Sequence, residues 1–384
     1  MAPRGDHEVV IVGAGVAGAV AARALAADHD VLLVDRSGVA SAATGRSAGL
    51  VAPTLFYGDT PPVARYANAF FREFDGTDQF RLTRRDRVDL VTDPEADDAR
   101  ATARQRREAG FPVEFLDADT LSARYPRFRA GSFAGAVEYR DTGWVDPYSY
   151  TMALVSAARH RGATVETDVR MTGLATERGQ VTGVETEAGP IGADAVVVAA
   201  GWRTPDLVAE HVSLPVRPYR TQCLTLSPSE PLGEEFPLVR VGSDHLYMRP
   251  EHTGNLLVGG GRELPEDPEA ASRSDDESFR RTVAARVPDI VSGFHRAGVV
   301  NGWAGVDGAT PDALPIIDEP ETGPDGLVVA TGFNGLGVML SPVVGPAVRQ
   351  LLGTEQAPFA LETFTLSRFE HRSPSFALQS TSDL

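Results

Sequence analysis

The sequence contains no lysine: all 36 of its fixed cations are arginine. A Schiff-base lysine and the phosphate-cradling lysine of a P-loop are therefore excluded outright. Cysteine is nearly absent too. The single Cys223 cannot form an internal disulfide, and no C-x-x-C or Cys/His cluster has metal-ligand spacing, so a reducing cytosol fits best and no metal is expected. No run approaches the roughly 18 uncharged apolar residues of a membrane span. The polar start MAPRGDHE lacks the apolar middle of a secretory signal. These features predict a cytoplasmic protein.

Positive charge is in short supply. Against 36 arginines stand 53 acidic residues, a net charge of −17, which repels phosphate backbones and anionic headgroups and disfavours nucleic acid and membrane surfaces as partners. Codon bias alone accounts for the all-arginine cations equally well. The excess acid points to a salt-rich, halophilic cytoplasm, where molar salt shortens the screening length to about 3 Å. What is abundant is ordinary globular material: 384 residues, 42 % hydrophobic, enough for a large core in two or three lobes.

Residues 9–12 read as a short buried strand ending in glycines, 16–27 as an Ala- and Leu-rich helix, and 31–34 as a second buried strand, which together make a βαβ unit. Residues 83–130 mix acids and bases at helical spacing (EADDARATARQRREAG) and open a second lobe. A helix at 148–160 and strands at 163–169, 181–185 and 195–199 return to the first. From 214 to 261 strand-like segments (RTQCLTLS, HLYMRP, NLLVGGG) alternate with turns, which predicts an antiparallel sheet, and a charged helix follows at 273–290. The strand LVVATG, a glycine-rich loop and a helix ending near Gly353 come next. The fold class expected is α/β: a discontinuous Rossmann-like lobe (1–82, 148–213, 299–370) and a second lobe on a mixed, largely antiparallel sheet (83–147, 214–298), with 371–384 a frayed tail.

The first chemistry-bearing segment is Gly13-Ala14-Gly15-Val16-Ala17-Gly18, with Asp35 closing the second strand. Gly13 permits a sharp turn, Gly15 lets backbone N–H groups approach a pyrophosphate, and Gly18 lets helix and strand pack closely, while Asp35 suits a ribose hydroxyl. The segment predicts dinucleotide binding without separating NAD from FAD.

Distant segments make that choice. Ala42-Ala43-Thr44-Gly45-Arg46-Ser47-Ala48-Gly49, Asp194-Ala195-Val196-Val197-Val198-Ala199-Ala200-Gly201 and Thr331-Gly332-Phe333-Asn334-Gly335-Leu336-Gly337, in this order, resemble the D-amino acid oxidase-like (DAO) family of FAD oxidoreductases, which includes glycine oxidase, sarcosine oxidases and dimethylglycine dehydrogenases. Asp141-Thr142-Gly143-Trp144-Val145-Asp146-Pro147, Tyr247-Met248-Arg249-Pro250 and Trp303-Ala304-Gly305 before Thr310-Pro311-Asp312 fit the same pattern. The resemblance implies that Gly13, Ala14, Gly15, Val16, Gly18, Asp35 and Arg36 hold the ADP half of FAD. It also implies that Thr44, Gly45, Arg46, Ser47 and Gly49 pass along the pyrophosphate and flavin, that Val169 meets the adenine, and that Ala200 and Gly201 line the pyrophosphate. Gly332, Asn334, Gly335, Leu336, Gly337 and Met339 would then edge the flavin, with backbone N–H groups and a helix start near its N1 and C2 carbonyl.

Family members that bind FAD through cysteine carry it five residues before the threonine of the TPD motif, where this chain has Gly305, so FAD is expected to be non-covalent. Two carboxylate anchors of the family are replaced: an arginine by Asp307 and a lysine by Met339. The remaining substrate candidates are His245 and Tyr247, expected to face the same way on a strand, Arg249 as a partner for a carboxylate, and Asp307 as a partner for an ammonium or simply a turn residue. The implied reaction is hydride transfer from the carbon beside the nitrogen of an amino acid or N-methylated amine, with oxygen or a protein or quinone as acceptor. A non-catalytic or FAD-carrying subunit of a larger dehydrogenase, and a flavin enzyme acting on a non-amine, stay open, as does a homo-oligomer.

Overall fold

A strand covered on both faces is apolar throughout rather than alternating, and HEVVIV is such a strand. In the computed structural model, which describes residues 6–379, His7–Val12 lies at the centre of an eight-stranded sheet. Val31–Val34 and Ile191–Val198 flank it in parallel, Thr164–Glu166 and Leu327–Thr331 extend it, Ile316–Asp318 pairs antiparallel with Leu327–Thr331, and the antiparallel hairpin Met171–Glu177 and Gln180–Thr186 continues from Ile191–Val198. Helices Val16–Leu25, Pro147–His160 and Val344–Leu351 cover one face. The second of these is capped by Asp146, whose carboxylate accepts the Ser149 N–H at 2.7 Å, with Pro147 in the first turn where its missing N–H costs nothing.

The second eight-stranded sheet runs in the order Gly298–Ala309, Arg217–Ser227, Leu256–Glu263, Leu246–Pro250, Leu238–Val241, Arg87–Val91, Gly135–Tyr139, Val113–Asp117. Every pairing is antiparallel except that of Leu238–Val241 with Arg87–Val91. Its strands alternate. Val239, Val241, Leu246, Met248, Leu256, Val258, Leu224 and Leu226 bury themselves against Phe279, Val283 and Val287 of helix Glu277–Ile290, each such side chain contributing about 1.5–3 kcal/mol. Cys223, Tyr247 and Leu257 point the other way, towards Ala48 and Trp303.

Several expectations need correction. The strand Gly298–Ala309 pairs with Arg217–Ser227 along nearly its whole length, so the chain leaves the second sheet after 309 and not at 298. His245 is not on a strand: it closes a short turn in the left-handed region (φ 52) just before Leu246–Pro250, which breaks the period of two that linked it to Tyr247. The expected C-terminal helix is split into Gly337–Leu340, a 3-10 turn at Ser341–Val343 and Val344–Leu351, since Pro342 has no N–H to continue the ladder. The tail is tethered where Arg217 donates to the Phe376 carbonyl at 2.5 Å; 380–384 lie outside the described residues. Helices Pro53–Tyr57 and Pro61–Phe74 and strand Leu238–Val241 had not been read from the sequence.

Candidate active site

The turn after His7–Val12 is built for close backbone approach. Gly13 has φ 107, and a Cβ there would stand 2.5 Å from the Ala199 carbonyl oxygen; at Gly18 it would stand 1.9 Å from the Gly13 oxygen. Gly15 meets only the Thr44 hydroxyl, which accepts the Val16 N–H at 3.2 Å. At the end of the next strand the Asp35 carboxylate accepts the Ala14 and Ser37 N–H groups, each at 2.8 Å, and each oxygen retains a second lone pair. These groups line a cavity of about 300 Å³ with Arg36, Thr44, Val169, Ala200, Gly201 and Gly337. Glu269 of the second lobe reaches over its mouth, held by Arg36 at 3.0 Å and Arg203 at 2.5 Å. An open glycine backbone, the start of a ten-residue helix and an acceptor carboxylate fit the ADP half of FAD.

A second cavity, about 140 Å³, adjoins the first. Ala43, Ser47, Asp307, Gly335 and Val338 line both. Its floor is formed by Arg46, Leu336 and Met339 of the first lobe, and its roof is the polar face of the second sheet, with Arg87, Tyr219, Thr221, Arg240, Tyr247 and Arg262. Asn334, 1 % exposed and left-handed at φ 53, lines it with neither amide atom hydrogen-bonded within the described residues. A buried amide without partners calls for a polar ligand edge, and the flavin ring system supplies one. Tyr247 lies flat over Gly259, where a Cβ would come within 2.1 Å of its ring, and its hydroxyl meets the Cys223 sulfur at 3.6 Å. Burial raises the Tyr247 hydroxyl well above its ordinary value and pushes the Cys223 thiol up to about 11.

The charges of this cavity are lopsided. Four arginines line it against one carboxylate, Asp307. Arg87 and Arg240 share Asp89 behind them, at 2.6 and 3.3 Å. Arg46 donates to the Ser41 and Ala42 carbonyls, and loss of water lowers its pKa, with Arg273 acting the same way. Asp307 accepts the Gly308 N–H at 2.8 Å and the Gly335 N–H at 2.6 Å.

The structure brings most of the expected residues to the two cavities, His245, Tyr247, Asp307, Ser47 and Leu336 among them. Ala14, Gly18, Gly45, Gly49, Gly332 and Arg249 line neither. Gly45, Gly49 and Gly332 serve packing: added Cβ atoms would approach the Ala40 oxygen, the Val145 oxygen and the Thr310 side chain within 2.4 Å. Arg249, expected to partner a substrate carboxylate, reaches neither cavity and stands 3.9 Å from the Glu251 carboxylate instead. Buried over the Trp144 ring at 4.1 Å, it donates to the Ala48 carbonyl at 2.7 Å. Nor are the loop's N–H groups all free for a flavin, since that of Asn334 is bound to the Gly308 carbonyl and that of Gly335 to Asp307. Missed from sequence were Arg87, Tyr219, Arg240 and Arg262, whose convergence depends on strand register.

A parallel sheet with a glycine turn at the carboxyl end of its first strand, roofed by a mixed sheet over an adjoining cavity, defines a two-lobed dinucleotide-binding flavoprotein. Residues 8–351 match the family of FAD dependent oxidoreductases (DAO), and the chain belongs to it. Glycine oxidase of Geobacillus kaustophilus is 29 % identical over 377 residues, covering 94 % of this chain and 97 % of the relative. Its crystal structure superposes with a TM-score of 0.84 at 27 % identity, over 96 % of this chain and all (100 %) of that one. D-amino acid dehydrogenase of Cereibacter sphaeroides is 31 % identical over 235 residues, 60 % of this chain and 52 % of the relative. The structure of L-proline dehydrogenase from P. horikoshii shares the fold, with a TM-score of 0.87 at 21 % identity over 96 % of this chain and 98 % of that one. Among the described residues no helix is long and apolar enough to cross a membrane.

Proposed function

We propose that the protein oxidises the C–N bond of an amino acid or N-methylated amine bound in the smaller cavity. The observation that carries this reading is the junction of the two cavities at Ser47, Asp307, Gly335 and Val338, which presents a substrate on the roof side to a cofactor held from the floor. Bound FAD would supply a hydride acceptor, so that the amine carbon gives up a hydride, the nitrogen lone pair forms the C=N bond of an iminium, and water hydrolyses that iminium to a carbonyl compound and the released amine. The chain's own contribution is positioning and electrostatics. Gly13, Gly15, Asp35 and Thr44 fix the ADP half, Asn334 and Met339 border the flavin edge, and Tyr247 with Leu50 and Phe56 excludes water from the roof. Asp307 faces the same space and attracts the substrate nitrogen. The relatives' names, glycine oxidase and D-amino acid dehydrogenase, support an amino acid substrate.

The electron acceptor in this reading is a quinone or protein rather than oxygen, and the acidic composition with a single buried cysteine supports a reducing, salt-rich cytoplasm as the setting. Anaerobic bleaching of the yellow holoenzyme by a panel of amino acids, N-methyl amino acids and plain amines tests the proposal. Bleaching by at least one member is expected, whereas a flavin that none of them reduces would refute it.

A further inference from the structure

The strand Leu256–Glu263 carries an irregularity with a consequence for the substrate. Gln222 pairs with Gly260 and Arg220 with Glu263, so three steps on one strand oppose two on the other. This is a β-bulge, with Gly261 in the left-handed region at φ 73, a device that re-aims the side chains beyond it. Leu256 and Val258 point into the core beneath helix Glu277–Ile290, and by the strand period residue 262 would follow them. The bulge reverses that. Glu263 joins Arg220 on the helix side, at 2.5 Å, and Arg262 turns to the opposite face, where it lines the smaller cavity with its guanidinium 5.7 Å from the centre of the Tyr219 ring.

Arg46, on the floor, donates to the Ser41 and Ala42 carbonyls, and position selects among the three arginines of the roof. Tyr219 is the direct cross-strand partner of Asp307, and an added Cβ at Gly335 would lie 2.8 Å from its hydroxyl, so the ring marks the end of the cavity next to the flavin loop. Arg262 stands two strand spacings from Asp307, roughly 10 Å between backbones, while Arg240 stands four away and Arg87 five, roughly 20 Å or more. A long arginine side chain and a short aspartate close the smaller distance to the size of a small zwitterion. The planar guanidinium offers paired N–H donors that match a carboxylate.

We propose that Arg262 anchors the substrate's carboxylate, opposite Asp307, and that the protein selects amines that carry such a group. The assignment rests on the amine-oxidation reading. It is tested on the holoenzyme by titrating propionate and its neutral amide, propionamide, against wild type, Arg262→Lys and Arg262→Met, followed by calorimetry and by the flavin absorption spectrum, with FAD content and far-UV dichroism as checks on folding. Propionate is expected to bind wild type in preference to propionamide, at least tenfold more weakly to Arg262→Met, and with intermediate strength to Arg262→Lys, which keeps the charge. In turnover, KM for the amino acid rises more than kcat falls, and the preference for an amino acid over its decarboxylated amine drops at least tenfold. Equal propionate affinity in wild type and Arg262→Met, or no preference for propionate over propionamide in wild type, overturns the assignment. Failure of every amine to reduce the flavin would instead refute the reaction, and the propionate titration would still decide the anchor.

Discussion

The carboxylate of Asp307 accepts the backbone N–H of Gly335 at 2.6 Å, tying the end of strand Gly298–Ala309 to the glycine-rich loop where the two cavities meet. Withdrawal from water raises its carboxyl above the ordinary 3.8, and the N–H groups of Gly308 and Gly335 oppose that rise. A carboxyl whose folded value exceeds its unfolded one favours the fold while neutral. Its contribution is therefore greatest below about pH 3.8 and is lost as the pH rises through the raised folded value. Asp307→Asn keeps the shape and an acceptor for Gly335 but carries no charge. We expect the FAD-free variant to melt a few degrees above wild type at pH 7, with the difference shrinking as the pH is lowered towards 4. A difference that does not change with pH would show that the ionised form is not what costs stability.

Asp35 has two duties, since it accepts the Ala14 and Ser37 N–H groups and also faces the dinucleotide cavity. Asp35→Ala leaves both donors without their acceptor, at about 1–3 kcal/mol for each that stays dry. Fluorescence titration should show FAD bound roughly tenfold or more weakly, and calorimetry a lower melting temperature even without FAD. Unchanged FAD affinity would remove Asp35 from the site.

Glu269 bridges Arg36 and Arg203 over the mouth of that cavity, and the Arg203 and Arg36 guanidiniums hold its carboxyl far below the usual range. The contribution of a group with a depressed value is present above its unfolded 4.5 and is lost as the pH falls through the folded value. The bridge is half exposed, so its contribution is small, about 1 kcal/mol at most. Glu269→Gln should release FAD a few-fold faster at low salt, and molar KCl should abolish the difference between variant and wild type. Identical release rates at low salt would mean that the bridge does not restrain the cofactor.

The resemblance to the family places its linking cysteine at Gly305, and a Cβ there would press on the Arg46 side chain at 3.1 Å. Acid precipitation is expected to leave all flavin fluorescence in the supernatant. Fluorescence on the denatured chain would contradict non-covalent binding.

How much of this was legible beforehand follows from the range of the interactions. The dinucleotide turn is local, so Gly13, Gly15 and Asp35 could be placed from spacing alone. The mixed sheet was legible as a class because its strands alternate, but its facing residues were not. Arg87, Arg240 and Arg262 come from strands far apart in sequence, and one unpaired residue at the bulge decides the side on which Arg262 emerges. His245 and Arg249 were misread for the same reason: a left-handed turn residue ends the strand period at 245, and the Ala48 carbonyl and Trp144 ring, distant in sequence, claim the guanidinium of Arg249.

Reoxidation of the reduced enzyme is expected to be faster with a quinone or dye than with oxygen. One-electron reduction of oxygen develops negative charge in a poorly solvated site, and a compact fixed cation close by stabilises it. The chain has no lysine to supply such a point charge. The cations that line the cavity are arginines, whose charge is spread over a plane and which here already serve other groups: Arg46 the Ser41 and Ala42 carbonyls, Arg87 and Arg240 the Asp89 carboxylate. Asp307, where ionised, lies at the junction with the opposite sign and works against superoxide. A quinone takes up its charge over a larger ring system and depends less on a single cation. Stopped-flow mixing of anaerobically reduced enzyme with each acceptor decides the matter: a second-order constant for oxygen equal to or above that for the quinone would make this an oxidase, and an oxygen constant that rises in Asp307→Asn would identify the carboxylate as the group that holds oxygen off.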